Sequence, residues 1–255
     1  MRGTVMSSLR GNTFVLTGAS SGIGRALALL MAKAGINLVL NARRGDLLEE
    51  VARECRSAGA SVRYVTGDAA RAETTRQIVK VALASGRFAG FVHAAAVARP
   101  GPYLWELPPN HFREIMDASV VAAYQLIRFA VPELRKQGEG MCVFFGSGAA
   151  EVTMPGLGTY CVAKVAEEHL ARQLADEAPD LVCFAYRPGI VDTPMQKQAR
   201  EAEGGAAEFL HKEFRAYKQQ GMLISPERAA GALLKIMSHN PRRFHGAICS
   251  WRDGA

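Results

Sequence analysis

The chain has 255 residues, 49% apolar and 22% charged, with a net charge of +7. That is enough for one large α/β domain with a substantial core, and it excludes a disordered or fibrous chain. Lys and Arg are scattered, with Arg43-Arg44, Arg135-Lys136 and Arg242-Arg243 the densest groups, so no basic stripe for nucleic acid is present.

Residues 1–12 read as an N-terminal extension without a signal-type apolar core, and 13–255 as a single domain. No apolar run approaches the roughly 18 residues of a membrane span. Short apolar runs at 13–17, 37–41, 61–66, 88–93, 140–146, 181–186 and about 244–250 read as strands. They alternate with stretches of helical period at 22–34, 46–57, 73–84, 111–136, 157–177 and 226–238. Repeated β-α-β units with right-handed crossovers predict a doubly wound α/β fold: a parallel sheet of about seven strands with helices on both faces. Pro132 is expected to kink its helix. Two segments break the rhythm: 97–109, rich in proline and aromatics, and 193–223, helical in composition but interrupted by glycines. Both follow strands, where open α/β sheets bind ligands, so they are the expected walls of a substrate pocket, 193–223 being a substrate-loop insertion.

The first strand runs into Thr17-Gly18-Ala19-Ser20-Ser21-Gly22-Ile23-Gly24 and then a helix. Glycines there permit a tight turn and close approach of backbone to a pyrophosphate, and the helix N-terminus offers unpaired N–H groups. The second strand ends in Asn41-Ala42-Arg43-Arg44, with no carboxylate before Asp46. An acid there would hold a ribose 2′-hydroxyl; Arg43 and Arg44 instead suit a 2′-phosphate, which favours NADP(H) over NAD(H). The alternative is a solvated helix start.

Tyr160 and Lys164, four apart at a helix start, share one face. An ammonium beside a phenol favours the phenolate and makes a feeble proton carrier usable. Ser147 follows the fifth strand at the same sheet edge, where its hydroxyl can bond a carbonyl oxygen that Tyr160 protonates. His93 ends a buried strand, and Cys161 reads as helix packing rather than a reactive thiol. Tyr103, Trp105 and Met154 either line an aromatic pocket or pack within loops. Glu167 and Glu168 read as a solvated face. Five cysteines without a C-x-x-C pair read as reduced thiols of a cytoplasmic protein, and the six histidines show no metal-ligand spacing.

Over nearly its whole length the chain resembles the short-chain dehydrogenase/reductase family. The matching elements are Thr17 to Gly24, Asp68 after the third strand, Ser147, the run Tyr160-Cys161-Val162-Ala163-Lys164, and Arg187-Pro188-Gly189-Ile190-Val191-Asp192-Thr193. The resemblance implies a Rossmann-type fold and hydride transfer between a nicotinamide cofactor and a carbonyl or alcohol. It places Ser147, Tyr160 and Lys164 as catalytic groups. Cofactor contacts are implied for Gly18, Ser20, Ser21, Gly22, Ile23 and Gly24, for Arg43 and Arg44, and for Asp68 and Ala69 beside the adenine. Ala94, Tyr160, Lys164, Pro188, Gly189, Ile190 and Thr193 complete that set, the last two toward the nicotinamide amide. It also implies a homodimer or homotetramer through the helices at 111–136 and 157–177.

The stretches around Tyr160, from Pro188 to Glu201, and from Ser225 to Ala247 are more narrowly similar to sepiapterin reductases and the related benzil reductases. Three positions depart from the family pattern. His93-Ala94-Ala95-Ala96 stands where Asn-Asn-Ala-Gly is usual. Ser119 takes the place of the asparagine that helps hold a relay water. Ser250 occupies the position of the acid that anchors a pterin, with Asp253 nearby. The activity expected is NADPH-dependent reduction of a small carbonyl compound: a ketone, α-diketone or sepiapterin-like substrate. The alternatives are a 3-oxoacyl-carrier-protein reductase, with a basic entrance near Arg135-Lys136 or Arg172, and an NADP(H)-sensing protein with weak turnover.

Overall fold

The structure is a computed structural model that describes residues 9–255. Most of the expected extension therefore lies outside the described residues. Its last residues belong to the domain: Leu9 is buried in the core, Gly11 N–H donates to Gly35 O at 2.8 Å and Asn37 N–H donates to Asn12 O at 2.9 Å.

Seven strands form one sheet: β1 Thr13–Thr17, β2 Asn37–Ala42, β3 Val62–Thr66, β4 Phe88–His93, β5 Met141–Phe145, β6 Val182–Arg187 and β7 Ile248–Ser250. All pair in parallel, in the order β3-β2-β1-β4-β5-β6-β7. The connection after β3 returns past β1 to place β4 on its other side. That reversal opens a crevice at the strand C-termini, the place where such folds bind ligands.

The helices are α1 Gly22–Lys33, α2 Gly45–Ser57, α3 Ala72–Leu83, α4 Pro109–Met116, α5 Ala122–Lys136, α6 Gly158–Glu177, α7 Pro194–Arg200, α8 Ala207–Gln219 and α9 Pro226–Ser238. Alternation along the strands sorts two cores. Phe14, Leu16, Val143, Phe145, Phe184 and Tyr186 pack under α1, α2 and α9. Val15, Phe91, Cys142, Phe144, Cys183 and Ala185 pack under α3, α5 and α6. Successive side chains on a strand point to opposite faces, so the nearly continuous apolar runs follow from cover on both sides.

The expected helix at 111–136 is one winding stretch with an irregularity, and Pro132 lies inside α5. The irregularity is a wide turn at Asp117–Val121 between α4 and α5, a form common at functional sites. The stretch Pro109–Lys136 is long and apolar enough to cross a membrane by length and composition only. In the fold it packs Ala123, Leu126, Ala130, Val131 and Leu134 into the core. The segment at 193–223 is folded into α7 and α8. It meets the 97–109 segment through Ala206 N–H to Gly101 O at 2.9 Å and Gly205 N–H to the Glu106 carboxylate at 3.0 Å. The two pocket walls expected from the sequence therefore touch.

Phe144 is fully buried and meets Phe91 edge-on, with ring centroids 5.4 Å apart. Phe144→Ala should destabilise the domain by about 3–5 kcal/mol in denaturant unfolding, whereas Leu104→Ala, at an exposed loop position, should cost under about 0.5 kcal/mol.

Candidate active site

A cavity of about 420 Å³ opens at the strand C-termini beside the β1–β4 crevice. Its floor is the turn between β1 and α1. Gly18, in the left-handed region, lies so close to β4's exit that an added Cβ would stand 2.7 Å from the Ala94 backbone. A Cβ on Gly24 would strike the Gly18 carbonyl. Only glycine lets the turn, α1 and the Ala94 segment close up this far. The first turn of α1 has no side-chain cap, which leaves its leading N–H groups and dipole end for an anion.

The predicted cofactor positions largely gather here. Gly18, Ser20, Ser21, Gly22, Ile23 and Gly24 line the cavity, as do Arg43, Arg44, Asp68, Ala69 and Ala94. Tyr160, Lys164, Pro188 and Thr193 line its other end. Gly189 and Ile190 are not among its lining residues: Gly189 packs against Trp251, and Ile190 O accepts from Ile224 N–H. Arg44 donates to Ser21 Oγ at 2.7 Å and Ser20 Oγ at 3.2 Å, gathering three donor groups on one corner. Arg43 is bound to Glu114 at 2.9 Å, as is Arg99 at 2.6 Å. Partial burial raises the Glu114 carboxyl, but these two guanidiniums hold it below its ordinary value. An uncapped helix start, a glycine cradle and arginines at the far corner fit a dinucleotide.

Lys164 is almost wholly buried. Its ammonium donates to Phe145 O and to Glu167 Oε2, both at 2.7 Å, and lies 5.7 Å from the Tyr160 ring centre. Ser147 Oγ accepts from Ala149 N–H at 3.1 Å, which shapes the turn after β5. Ser147 N–H donates to Glu168 Oε1 at 3.1 Å, and Arg187 donates to both Glu168 oxygens at 2.7 Å. A Cβ on Gly146 would strike that carboxylate. Glu168 thus ties the serine turn to the end of β6.

The expectation of a solvated face at Glu167 and Glu168 is corrected: both are buried. The spacing of Glu167 three residues after Lys164 was visible as a same-face pair. Nothing in α6's own pattern says that this face turns inward against β4 and β5. Ser119, expected beside a relay, is fully buried, does not line the cavity, and its Oγ has no hydrogen-bond partner. Its carbonyl accepts from His93 Nε2 at 3.1 Å, while Thr17 Oγ1 lies 2.8 Å from His93 Nδ1. A carbonyl can only accept, so Nε2 carries the hydrogen and Nδ1 accepts from the threonine.

Beside the cavity, Met154, Tyr160, Met195 and Phe214 pack against the buried Leu157, Cys161 and Leu210; of these seven only Tyr160 and Met195 line it. Burial pushes the Cys161 thiol up, in keeping with a packing role. Trp105 is 81% exposed and stacked on Tyr103, with centroids 4.8 Å apart; neither ring lines the cavity. Met195 and Phe214 escaped the sequence reading because glycine-broken composition does not show which helix face turns inward. Ser250 N–H and Oγ both donate to Asp253 Oδ2, at 2.7 and 2.9 Å.

This fold, with a dinucleotide cradle and a Tyr–Lys pair at one sheet edge, defines a nicotinamide-dependent oxidoreductase acting on CH–OH and C=O groups. The chain belongs to the short chain dehydrogenase family, whose family model matches residues 12–204. An uncharacterised oxidoreductase of Schizosaccharomyces pombe is 29% identical over 253 residues, covering 97% of this chain and 99% of the relative. A sorbose reductase of the same yeast is 30% identical over 243 residues, 92% of each chain. Among solved structures, a short chain dehydrogenase/reductase of Saccharomyces cerevisiae superposes with a TM-score of 0.85 at 28% identity, over 95% of this chain and 97% of that one. The L-sorbose reductase of Gluconobacter frateurii, complexed with NADPH and L-sorbose, superposes at 0.83 with 27% identity over 95% of each.

Burial, and next Lys164, lower the His93 imidazole to about 3. Its folded value lies below the unfolded value near 6.5, so the unfolded chain binds an extra proton between about pH 6.5 and 3. This contribution to stability is complete above that window and lost as pH falls through it, by about 1.4 kcal/mol per pH unit at most. Denaturant midpoints at pH 7 and pH 5 should diverge less in His93→Asn than in the native chain.

Proposed function

We propose that the chain is an NADPH-dependent reductase of small or medium carbonyl compounds, with Tyr160 as proton donor. One observation carries this reading: a single cavity joins the glycine turn and two arginines at one end to Tyr160 and Lys164 at the other. When bound, the nicotinamide supplies the hydride. Tyr160 gives its proton to the carbonyl oxygen as negative charge develops there, and Lys164 stabilises the resulting phenolate. Ser147 is read as the second donor to that oxygen, on a turn braced by Glu168 and Arg187.

The 2′-phosphate is assigned to Arg44 with Ser20 and Ser21, and to Arg43, which shares its charge with Glu114. Bound NADPH in the sorbose reductase, and NADP at low occupancy in a gluconate 5-dehydrogenase relative described as putative and NAD(P)-dependent, agree with that choice. The apolar Met195 at the cavity's Tyr160 end favours ketones and α-diketones. Among these substrates sepiapterin is the least supported, since Asp253 is turned onto Ser250. A carrier-protein substrate is disfavoured because Arg135 and Lys136 end α5 at the opposite sheet edge and pair with Asp180 and Glu133.

A homodimer or homotetramer is proposed through α5 and α6, which leave Tyr124, Val162 and Val165 about half exposed. The five cysteines are free and buried, which suits a reducing cytoplasm.

NADPH oxidation against benzil, diacetyl, an aromatic aldehyde, sepiapterin and an acetoacetyl thioester tests the activity, with turnover on the diketones expected. Tyr160→Phe should reduce turnover by at least about a hundredfold while NADPH still binds; retained turnover removes Tyr160 as donor. Arg44→Ala and Arg43→Ala should each weaken NADPH about tenfold or more, and NADH by under about twofold, in a fluorescence titration. Equal losses for both cofactors remove the 2′-phosphate assignment.

A further inference from the structure

Three positions that sequence alone left unrelated meet behind Lys164. His93 closes β4, Ser119 sits in the wide turn between α4 and α5, and Glu167 lies one turn beyond Lys164 on α6. Glu167 is fully buried. One carboxylate oxygen takes the Lys164 ammonium at 2.7 Å; the other has no hydrogen-bond partner among the described residues and faces His93 Nε2 at 3.8 Å. His93 directs that same N–H to the Ser119 carbonyl.

A buried ammonium is expensive unless paired, and a lysine deprived of its partner in such a place sheds its proton. Among the described residues, the other hydrogen-bond acceptor of Lys164 is the neutral Phe145 carbonyl. We infer that Glu167 is a positioning residue of the active site, the counter-charge that keeps Lys164 an ammonium aimed at Tyr160. This deepens the reductase reading and rests on it for its catalytic consequence.

The charged and titratable neighbours all bear on this pair. From α6 come Tyr160 and Glu168, from β4 His93, and from β6 Arg187, which neutralises Glu168. Burial works to lower Lys164, but Glu167 first, then Tyr160 and Glu168, hold it above its ordinary value. Burial also drives Glu167 up to about 7, against the pull of Lys164. His93, lowered to about 3 by burial, is neutral near pH 7, so it adds no second positive charge beside the Glu167 carboxylate.

The test follows the Lys164 charge directly. Full-length protein carrying ¹³C-lysine is titrated by NMR, the Lys164 Cε signal being identified by its loss in Lys164→Met. In Glu167→Gln the Lys164 midpoint should fall by about two units or more. An unchanged midpoint overturns the inference, whatever the activity. In parallel, the variant-to-native ratio of kcat/KM should be near one at pH 6, where the ammonium persists. It should drop about tenfold by pH 9 as the charge is lost. A ratio equally low at every pH marks a merely structural role and also overturns it.

If Glu167→Gln does not fold, Glu167→Asp carries the same titration, with a smaller fall expected and no fall overturning the inference. Failure of the reductase reading shows separately, as absence of turnover in the native protein or its survival in Tyr160→Phe, and leaves the NMR result to decide the role of Glu167.

Discussion

A lysine ammonium buried at the end of a sheet must be compensated, and much of this active site can be read as the answer to that demand. In the proposed reaction Lys164 has to lie close to Tyr160 to stabilise a phenolate, and closeness there means loss of water. The Phe145 carbonyl supplies a dipole and Glu167 a full charge. Burying the carboxylate raises a second demand: its other oxygen faces His93 Nε2 only at 3.8 Å, because the Thr17 hydroxyl and the Ser119 carbonyl hold that imidazole in one tautomer with its N–H on Ser119. The wide turn at Asp117–Val121 is what brings that carbonyl to β4.

A second carboxylate on the same helix does a different job. Glu168 accepts from Arg187 and from the Ser147 backbone, so the turn after β5 and the end of β6 are fixed to α6. The helix that carries Tyr160 therefore also anchors the serine turn. Gly146 is required for this, since any side chain there would occupy the carboxylate's place. Adjacent glutamates reach opposite ends of the site because consecutive helical residues point about a quarter-turn apart.

At the other end of the cavity the constraint is backbone proximity. Gly18 and Gly24 let the first turn, the α1 N-terminus and the segment after β4 approach within contact distance. The replacement of the family's asparagine pair by His93 and Ala94 leaves that approach intact. The arginine corner combines two kinds of group: Arg44, already gathering serine hydroxyls, and Arg43, whose charge is shared with a carboxylate that also serves Arg99.

The fold class, the order of strands and helices and the glycine turn were legible in the sequence, because they depend on local periodicity and on backbone freedoms that only glycine has. So were Tyr160 and Lys164, whose spacing alone puts them on one helix face. The sequence also carried Glu167, Glu168, His93 and Ser119 without indicating that they belong to one network. Their meaning depends on which face of α6 turns inward and on how the wide turn meets β4, and both are set by packing between elements far apart in the chain. For the same reason only the tertiary structure separated Met195, which lines the cavity, from Trp105, which faces solvent. A side chain's chemistry is local, but whether it is charged, paired or wet depends on neighbours that the sequence does not place beside it.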